Sequence, residues 1–285
     1  MRFHADGIAD RCVSALADLT DYPSLLRVLN EHEVDTVFHL AAQTIVGKAN
    51  RSPLGTWEAN VRGTYTLLEA CRAHAADRGQ IERIVVASSD KAYGDHDELP
   101  YREDFALRPR YPYDVSKACT DLIARSYAIT YDIPLAVARL ANVYGPGDLN
   151  WSRLIPDTAR ALANGDRPVI RSDGTPEREY LFVDDAAAAY LAIAGSLDRE
   201  ELHGRAWNAG SGQPVTVLEV IRKMIDVSGR DIEPDVRGQG IPPGEIDRQH
   251  LDSSAIRNEL SWRPLWDLDR GLRATWEWYE RWLGD

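Results

Sequence analysis

Residues 83–88 of this 285-residue chain read Arg-Ile-Val-Val-Ala-Ser, a short run of apolar and β-branched residues. A similar run, Val-Asp-Thr-Val-Phe-His at 34–39, precedes it, and Pro-Leu-Ala-Val-Ala-Arg-Leu at 134–140 follows it. Helical patterns at about 56–76 and 113–131 separate the three runs. Largely apolar runs that alternate with helices are typical of parallel strands buried on both faces. The sequence therefore predicts an α/β fold with a Rossmann-like, doubly wound parallel sheet.

The second half of the chain has a less regular pattern. It contains a predicted helix at about 154–164, a short strand at 168–171 and a helical pattern at 268–283, with Gly and Pro turns between them. We therefore predict two parts, residues 1–150 and residues 151–285, with the second the smaller α/β unit.

Composition and charge limit the class of protein. The 44% hydrophobic and 27% charged fractions exclude a disordered or fibrous chain, and the net charge of −12 disfavours nucleic acid or an anionic membrane as partner. The longest apolar stretch, 186–195, is about half of a membrane span, and no signal peptide is recognised. Cys12, Cys71 and Cys119 indicate buried thiols in a reducing compartment. These features favour a cytoplasmic enzyme, and no metal site is predicted.

Polar residues directly follow three predicted strands. They are His-Leu-Ala-Ala at 39–42, Ser-Ser-Asp-Lys at 88–91 and Asn-Val-Tyr-Gly at 142–145. Because ligands of open parallel sheets bind at the carboxyl ends of the strands, we expect these segments to form one site.

Tyr113 and Lys117 are four residues apart on a predicted helix, so they lie on one face of it. A Lys ammonium beside a phenol favours the phenolate and lowers the pKa of the phenol from its usual value of about 10. Helices often carry such pairs on solvated surfaces, so the pair alone leaves both interpretations open. Ser89, Asp90 and Lys91 add a hydroxyl, an acid and a base at a strand end. Together these five residues favour a catalytic site.

Five segments, in chain order, resemble the extended short-chain dehydrogenase/reductase family of NAD-dependent nucleotide-sugar epimerases and dehydratases. They are His-Leu-Ala-Ala at 39–42, Ser-Ser-Asp-Lys-Ala-Tyr-Gly at 88–94, Tyr-Asp-Val-Ser-Lys at 113–117, Asn-Val-Tyr-Gly-Pro-Gly at 142–147 and Arg-Glu-Tyr-Leu-Phe-Val-Asp-Asp at 178–185. The resemblance runs from about residue 10 to the end of the chain.

The acid at position 90 distinguishes branches of this family. Epimerases usually have a small uncharged residue there, whereas 4,6-dehydratases have an acid followed by Glu or Lys. The Ser-Asp-Lys form most resembles the CDP-glucose 4,6-dehydratases. Further segments with this likeness are 43–47, 50–53, 147–150, 153–156 and 169–174.

The resemblance implies conversion of CDP-glucose to its 4-keto-6-deoxy form by internal hydride transfer through NAD. Tyr113, assisted by Ser89 and Lys117, would remove the proton of the sugar 4-hydroxyl. Asp90 would protonate the departing C6 hydroxyl, and Lys91 would either take the C5 proton or support another base. A lysine can act as that base only while it is neutral.

The resemblance also implies the binding residues. The positions that contact NAD match Asp18, Leu40, Ala41, Ala42, Tyr113 and Lys117. The positions that hold the diphosphate of the substrate match Asn142, Arg178 and Arg248. Asp18 is equally consistent with a residue at a helix start or in a turn. Arg178 and Arg248 are each also consistent with a surface ion pair. In this interpretation residues 1–150 form a partial dinucleotide-binding domain and 151–285 mainly a sugar-nucleotide-binding domain, with the chain crossing between the two.

Family members begin with a strand and a Gly-x-x-Gly-x-x-Gly turn that holds the cofactor pyrophosphate. Residues 1–7 of this chain align just before the third strand of the family, so about sixty residues of a relative have no counterpart here. We therefore expect NAD binding to be weakened or lost, residues 12–16 to lack a strand neighbour, and the strand at 34–39 to be an open edge.

Three interpretations of this sequence stay open. It is a truncated dehydratase, a natural short form that pairs its open edge with a partner chain or dimerises, or a sugar-nucleotide-binding protein without redox activity. The alternative chemistry is 4-epimerisation, which uses the Tyr/Lys pair and needs no acid at position 90. Because relatives dimerise through the helices that match 56–76 and 113–131, a homodimer is expected.

Overall fold

The computed structural model describes residues 7–78, 81–240 and 246–284. Its main sheet contains four parallel strands in the order β1 (Thr36–His39), β2 (Arg83–Ala87), β3 (Leu135–Leu140) and β7 (Ala206–Ala209). The three strands predicted from the apolar runs are the first three strands of this sheet. The predicted α/β fold with a parallel sheet is confirmed.

Helices cover both faces of this sheet. One face packs against α1 (Tyr22–Glu31), α3 (Gly63–Arg78) and α4 (Pro112–Tyr131), and the other against α6 (Val183–Ser196). In β2, Ile84 and Val86 face the first layer, whereas Val85 between them faces the second. Burial on both faces explains why these strands are apolar without alternation.

The helix predicted at 56–76 is not uniform. A short α-helical turn (Leu54–Thr56) leads into a π-helical segment (Trp57–Arg62), and α3 continues from there. A π-helical turn within an α-helix often marks a functional site. Here it contains Asn60, whose side chain is 1% exposed.

The second half of the chain forms a smaller sheet and its own apolar core. β6 (Glu177–Phe182) lies between β10 (Arg248–Gln249) and β4 (Asn142–Tyr144), and β8 (Pro214–Thr216) pairs antiparallel with β6. β5 (Val169–Ile170) pairs with β9 (Asp235–Val236). The helices of this half are α5 (Leu154–Ala163), α7 (Val217–Ser228) and α9 (Leu268–Gly284), and two short helices are α2 (Val46–Arg51) and α8 (Ser254–Glu259). Phe182, Met224 and Trp276 belong to the core between these elements.

Within the described residues, β1 is an edge strand that pairs only with β2. Residues 13–18 form no strand, and Val13 and Leu16 are exposed. In the described part of the chain, the edge of β1 away from β2 is therefore unpaired, and residues 13–18 belong to no sheet. The alignment predicted for 1–7 falls almost wholly on residues outside those described.

The cysteines differ from one another in burial. All three cysteines are free, but only Cys71 is buried, so the prediction of three buried thiols is wrong for the exposed Cys12 and the partly buried Cys119. Among residues 7–78, 81–240 and 246–284, no helix is both long enough and apolar enough to cross a bilayer.

Candidate active site

The polar turn after β2 has a defined geometry. Ser89 caps a 3-10 turn, Asp90–Tyr93, by accepting a hydrogen bond from the backbone N–H of Lys91 at 3.2 Å. Its own hydroxyl donates to Oδ1 of Asp90 at 2.9 Å. Gly94 ends the turn with φ +73°, and a Cβ there would collide with the carbonyl of Arg108, so glycine is required. The result is an acid, Asp90, that is only 2% exposed.

Helix α4 brings the predicted Tyr/Lys pair to this turn. Pro112 stands at the first position of the helix, where it needs no hydrogen-bond partner for a backbone N–H. Tyr113 and Lys117 follow on one face, 9% and 5% exposed. Ser88 donates its hydroxyl to the backbone carbonyl of Lys117 at 3.4 Å. The strand end and the helix start are therefore directly joined, as the sequence predicts.

The pKa of Tyr113 is raised. Burial of the phenol is the main cause, and the nearby carboxyl group of Asp90 adds to it. The Arg153 guanidinium and a hydrogen bond with Ser89 oppose the rise. The pKa of the Tyr113 phenol therefore responds to both Ser89 and Asp90 of the turn after β2.

The Lys117 ammonium is directed to the strand end, where it donates a hydrogen bond to the backbone carbonyl of Ala87. Burial lowers the pKa of Lys117 to about 8, against the opposing effect of Asp121. The pKa of Tyr113 is raised overall, opposite in direction to the lowering expected from the Tyr/Lys spacing, and an effect of Lys117 on the phenol stays a prediction.

The electrostatic environment of Asp90 favours its protonated form. Burial raises its pKa, although Lys91, Ser89 and Arg178 oppose the rise. Among the described residues, Oδ2 of Asp90 has no hydrogen-bond partner. A buried carboxyl group with a raised pKa and an unpartnered oxygen is suited to hold a proton and to donate it.

The predicted diphosphate residues are placed differently from one another. Arg178, on β6, is 9% exposed and close enough to Asp90 to oppose the rise of its pKa. Asn142 begins β4 and donates to the carbonyl of Glu179 at 3.2 Å. The Arg248 side chain is 58% exposed and forms an ion pair with Glu177 at 3.0 Å. Arg248 therefore forms the surface ion pair that was the alternative for this residue. A role of Arg248 in binding the diphosphate stays a prediction.

Three of the predicted cofactor residues lie in the loop at the carboxyl end of β1. Leu40 is 54% exposed in the loop after β1, where Ala41 is exposed and Ala42 partly buried. His39, before them, contacts Thr64 through Nε2 at 2.9 Å, and burial lowers its pKa to about 4. It is therefore neutral at physiological pH.

Asp18 forms a local turn before α1. Its carboxylate accepts from the backbone N–H and the hydroxyl of Thr20 at 2.8 and 2.7 Å. The turn alternative is the one that the structure shows, and a contact with adenine stays a prediction. For the nicotinamide end of NAD, Leu40 and Ala41 offer exposed apolar surface in the loop after β1, which fits that group. No Gly-x-x-Gly-x-x-Gly turn for the pyrophosphate occurs among the described residues.

A buried network fixes the start of α4, and its members are not predicted from the sequence as site residues. Asn60 accepts from the backbone N–H of Gln43 at 2.7 Å and donates to Oγ of Ser116 at 2.8 Å. Ser116 in turn donates to the carbonyl of Tyr113 at 2.6 Å. The residues around it, Thr-Trp-Glu-Ala-Asn-Val-Arg at 56–62, alternate in polarity and give no local signal that singles out Asn60.

Arg139 is a second residue that the sequence does not reveal as part of this region. It lies within the third apolar run, yet its side chain is 1% exposed and forms an ion pair with Asp121, which is 0% exposed. A charge inside an apolar strand is itself the signal, because such a charge needs a buried partner.

The model of the NAD dependent epimerase/dehydratase family matches residues 7–210. Escherichia coli dTDP-glucose 4,6-dehydratase 1 is 31% identical over 291 residues, covering 95% of this chain and 79% of that protein. The CDP-glucose 4,6-dehydratase of Salmonella typhimurium is 30% identical over 287 residues, covering 96% and 78%. A trifunctional UDP-glucose 4,6-dehydratase of Arabidopsis thaliana is 30% identical over 274 residues, but the chain covers only 39% of that longer protein.

Solved structures show the same likeness. A dTDP-glucose 4,6-dehydratase from Streptomyces venezuelae, solved with NAD bound, has a TM-score of 0.83 and 32% identity, covering 94% of this chain and 79% of that one. The UDP-glucose 4-epimerase of Thermotoga maritima, solved with UDP-glucose, has a TM-score of 0.85 and 26% identity, covering 94% and 84%.

Proposed function

Because the chain belongs to the NAD-dependent epimerase/dehydratase family, we propose that it is a nucleotide-sugar 4,6-dehydratase. The observation that carries this proposal is the buried Asp90, whose raised pKa suits an acid that protonates a leaving hydroxyl. The similar proteins from Escherichia coli and Salmonella typhimurium are named as 4,6-dehydratases, which supports the same reaction here.

In this proposal NAD, when bound, supplies the acceptor for the hydride that leaves C4 and the donor of the hydride that later reaches C6. Leu40, Ala41 and Ala42 would hold its nicotinamide end, with Lys117 on the helix side and Asp18 toward the adenine. Because the hydride that leaves C4 would be the one that C6 receives, the reaction would consume no net oxidant.

The residues of the chain would move the protons. Tyr113 would take the proton of the 4-hydroxyl as the phenolate. The resulting 4-ketone acidifies the C5 proton, which Lys91 would either take or help another base to take. Asp90 would give its proton to the C6 hydroxyl, which departs as water. The C5 base would then return its proton to C5, and the hydride would complete the methyl group at C6. The proton held by Tyr113 would pass through Ser89 to Asp90, so that both groups return to their starting states.

For the substrate we propose CDP-glucose, held through its diphosphate by Arg178 and Asn142. The Ser-Asp-Lys form of residues 89–91 supports cytosine as the nucleotide base of the substrate, and so do the segments 147–150 and 169–174. The test is a panel of CDP-, dTDP-, UDP- and GDP-glucose with added NAD. We expect CDP-glucose to give a product lighter by one water, and bound NAD is quantified by absorbance after denaturation. Equal or better turnover of another nucleotide would contradict the choice of CDP.

The second candidate function is 4-epimerisation, favoured by the likeness to the Thermotoga maritima epimerase. Epimerisation yields a product of unchanged mass and needs no acid at position 90. A product of unchanged mass from any member of the panel would therefore support it over dehydration. Binding of CDP-glucose without NAD and without any product would support a non-redox binding protein.

Two features of organisation complete the proposal. Residues 1–150 would mainly bind the cofactor and 151–285 mainly the sugar nucleotide, which the separate apolar core of the second half supports. The chain would form a homodimer through α3 and α4, where Tyr65, Leu122 and Ile129 are exposed. A cytoplasmic location is proposed from the three free thiols.

A further inference from the structure

We propose that Arg139 is a positioning residue whose guanidinium fixes the turn Asp90–Tyr93 against helix α4. The turn carries Asp90, and the helix carries Tyr113 and Lys117. The role of Arg139 in turnover rests on the proposed function, since these are the groups assigned to the reaction there. Arg139 itself touches none of the reacting atoms in this assignment.

On the helix side, Arg139 holds α4 through Asp121. Nε donates to Oδ2 of Asp121 at 2.7 Å, and Nη2 donates to Oδ1 at 3.0 Å. Asp121 follows Tyr113 and Lys117 at spacings of four, so all three share one face of the helix. A guanidinium that meets both carboxylate oxygens fixes orientation as well as distance.

On the other side, the same guanidinium holds the turn through its last residue. Nη1 of Arg139 donates to the hydroxyl of Tyr93 at 2.8 Å, and its Cζ lies 4.9 Å from the centre of the Tyr93 ring. The Tyr93 hydroxyl donates in turn to Oδ1 of Asn208 at 2.7 Å. One planar group therefore joins α4, the turn and, through Asn208, strand β7.

The segment after the turn is tied to the same group. Asn208 donates through Nδ2 to the carbonyl of Tyr101 at 2.8 Å, and its backbone N–H donates to Oε1 of Glu103 at 2.9 Å. Nη1 of Arg139 also donates to the carbonyl of Glu103 at 3.3 Å. The loop that follows Asp90 and Lys91 is thus held at several points around Arg139.

The cost of burial argues for a geometric role. Removing two charges from water is expensive, and an apolar pair of similar volume is often as stable as a buried ion pair. The side chains of Arg139 and Asp121 are 1% and 0% exposed, and the rest of β3 is apolar and fully buried. An apolar residue at 139 would satisfy the strand, but it would leave the turn and the helix without a shared anchor.

The ion pair also affects the charge environment of the helix. Asp121 raises the pKa of Lys117 against the effect of burial, and Arg125 approaches Asp121 to 3.9 Å from the more exposed side. Arg139 partly neutralises Asp121. Because loss of Asp121 would by itself change this charge environment, a variant that keeps the ion pair is needed to separate positioning from charge.

Tyr93→Phe is the mildest test, because it removes the bond to the turn and keeps the buried ion pair. We expect kcat to fall roughly tenfold or more while KM stays within about threefold, since the anchored groups reorganise but the binding residues do not. Hydrogen exchange of the amides of residues 90–94 should become roughly tenfold faster. Tyr127→Phe, which removes a hydroxyl contact to Glu69 on the same helix, is the matched control and should change neither measurement.

The double variant Arg139→Met with Asp121→Leu separates positioning from folding. It replaces the ion pair by an apolar pair, so we expect thermal stability near that of the wild type. Faster exchange at 90–94 together with lower kcat would support the proposal. A stable double variant with unchanged exchange and an unchanged kcat would overturn it.

These outcomes are distinguishable from failure of the proposed function. If the wild-type chain turns over no nucleotide sugar, the dehydratase proposal fails, whereas the exchange measurement still decides the positioning. Faster exchange at 90–94 in both variants, but not in Tyr127→Phe, supports the anchor. Unchanged exchange in both variants contradicts it.

Discussion

The hydroxyl of Ser89 donates a hydrogen bond to Oδ1 of Asp90 at 2.9 Å, while Oδ2 of this acid has no partner among the described residues. The carboxyl group is thus oriented by one oxygen and leaves the other available for chemistry. Its burial and the raised pKa fit an acid that keeps its proton until a substrate hydroxyl arrives. The first predictions concern this group and its neighbours.

Asp90→Asn should stop dehydration, because the amide cannot protonate the departing hydroxyl. We expect kcat for loss of water to fall roughly 10²- to 10⁴-fold, the usual effect of removing a general acid. Product formation is followed by mass. Asp97→Asn removes an exposed acid from the same loop and should retain normal turnover. Normal dehydration by Asp90→Asn would favour the epimerase alternative.

Tyr113→Phe should abolish turnover of any accepted nucleotide sugar, since it removes the phenol that has a hydrogen bond with Ser89. The expected fall in kcat is again roughly 10²-fold or more. Tyr127→Phe serves as the control on the same helix. A near-normal rate in Tyr113→Phe would show that the helix pair has no catalytic role.

Lys117→Met should change how stability depends on pH. Because burial lowers the pKa of Lys117 to about 8, the folded protein releases this proton at lower pH than the unfolded chain does. Its unfavourable contribution is therefore fully present below pH 8 and is relieved as the pH rises toward the usual lysine pKa of about 10.4, by about 3 kcal/mol in total.

Unfolding followed at several pH values between 7 and 10 checks this sign. Relative to Lys117→Met, the wild type should gain stability as the pH rises through this range. Lys48→Met, at an exposed position, should show the same pH dependence as the wild type. A constant difference between wild type and Lys117→Met would contradict the lowered pKa.

Leu122→Asp should weaken the proposed dimer. The side chain is 55% exposed on α4, and a carboxylate buried between two copies would have no partner. Size-exclusion chromatography with light scattering compares it with Leu191→Asp, which lies at a 64% exposed position on α6. A monomeric wild type would exclude the dimer. A dimer disrupted only by Leu191→Asp would place the interface on α6 instead of α4.

The sheet and the strand ends of the site follow from the sequence because burial on both faces leaves a clear apolar signal. The helix that begins at Pro112 was predictable because proline is favoured at the start of a helix. The turn at Asp90 was predictable because polar residues directly follow an apolar run. The direction of the Lys117 ammonium was not, since spacing shows a shared face but not the competing carbonyl of Ala87. Charge alone also could not tell the buried Arg178 from the exposed Arg248.

Long-range partners account for most of the rest. Arg139 and Asp121 are 18 residues apart, and Asn60 and Ser116 are 56 apart. Arg139 is a charge within an apolar strand, which signals that a partner exists but not which one. Asn60 and Ser116 lie in segments of mixed polarity, so neither residue carries such a signal. The π-helical segment at Trp57–Arg62 contains Asn60 and has no local signature either.

The fate of the hydrogen at C4 of the sugar tests the central claim most directly. CDP-glucose deuterated at C4 is incubated with the chain and NAD, and the product is examined by NMR and mass spectrometry. A 4,6-dehydratase predicts a 4-keto-6-deoxy product with the deuterium in its C6 methyl group. Deuterium retained at C4 of an epimer, or no conversion of the labelled sugar at all, would contradict it.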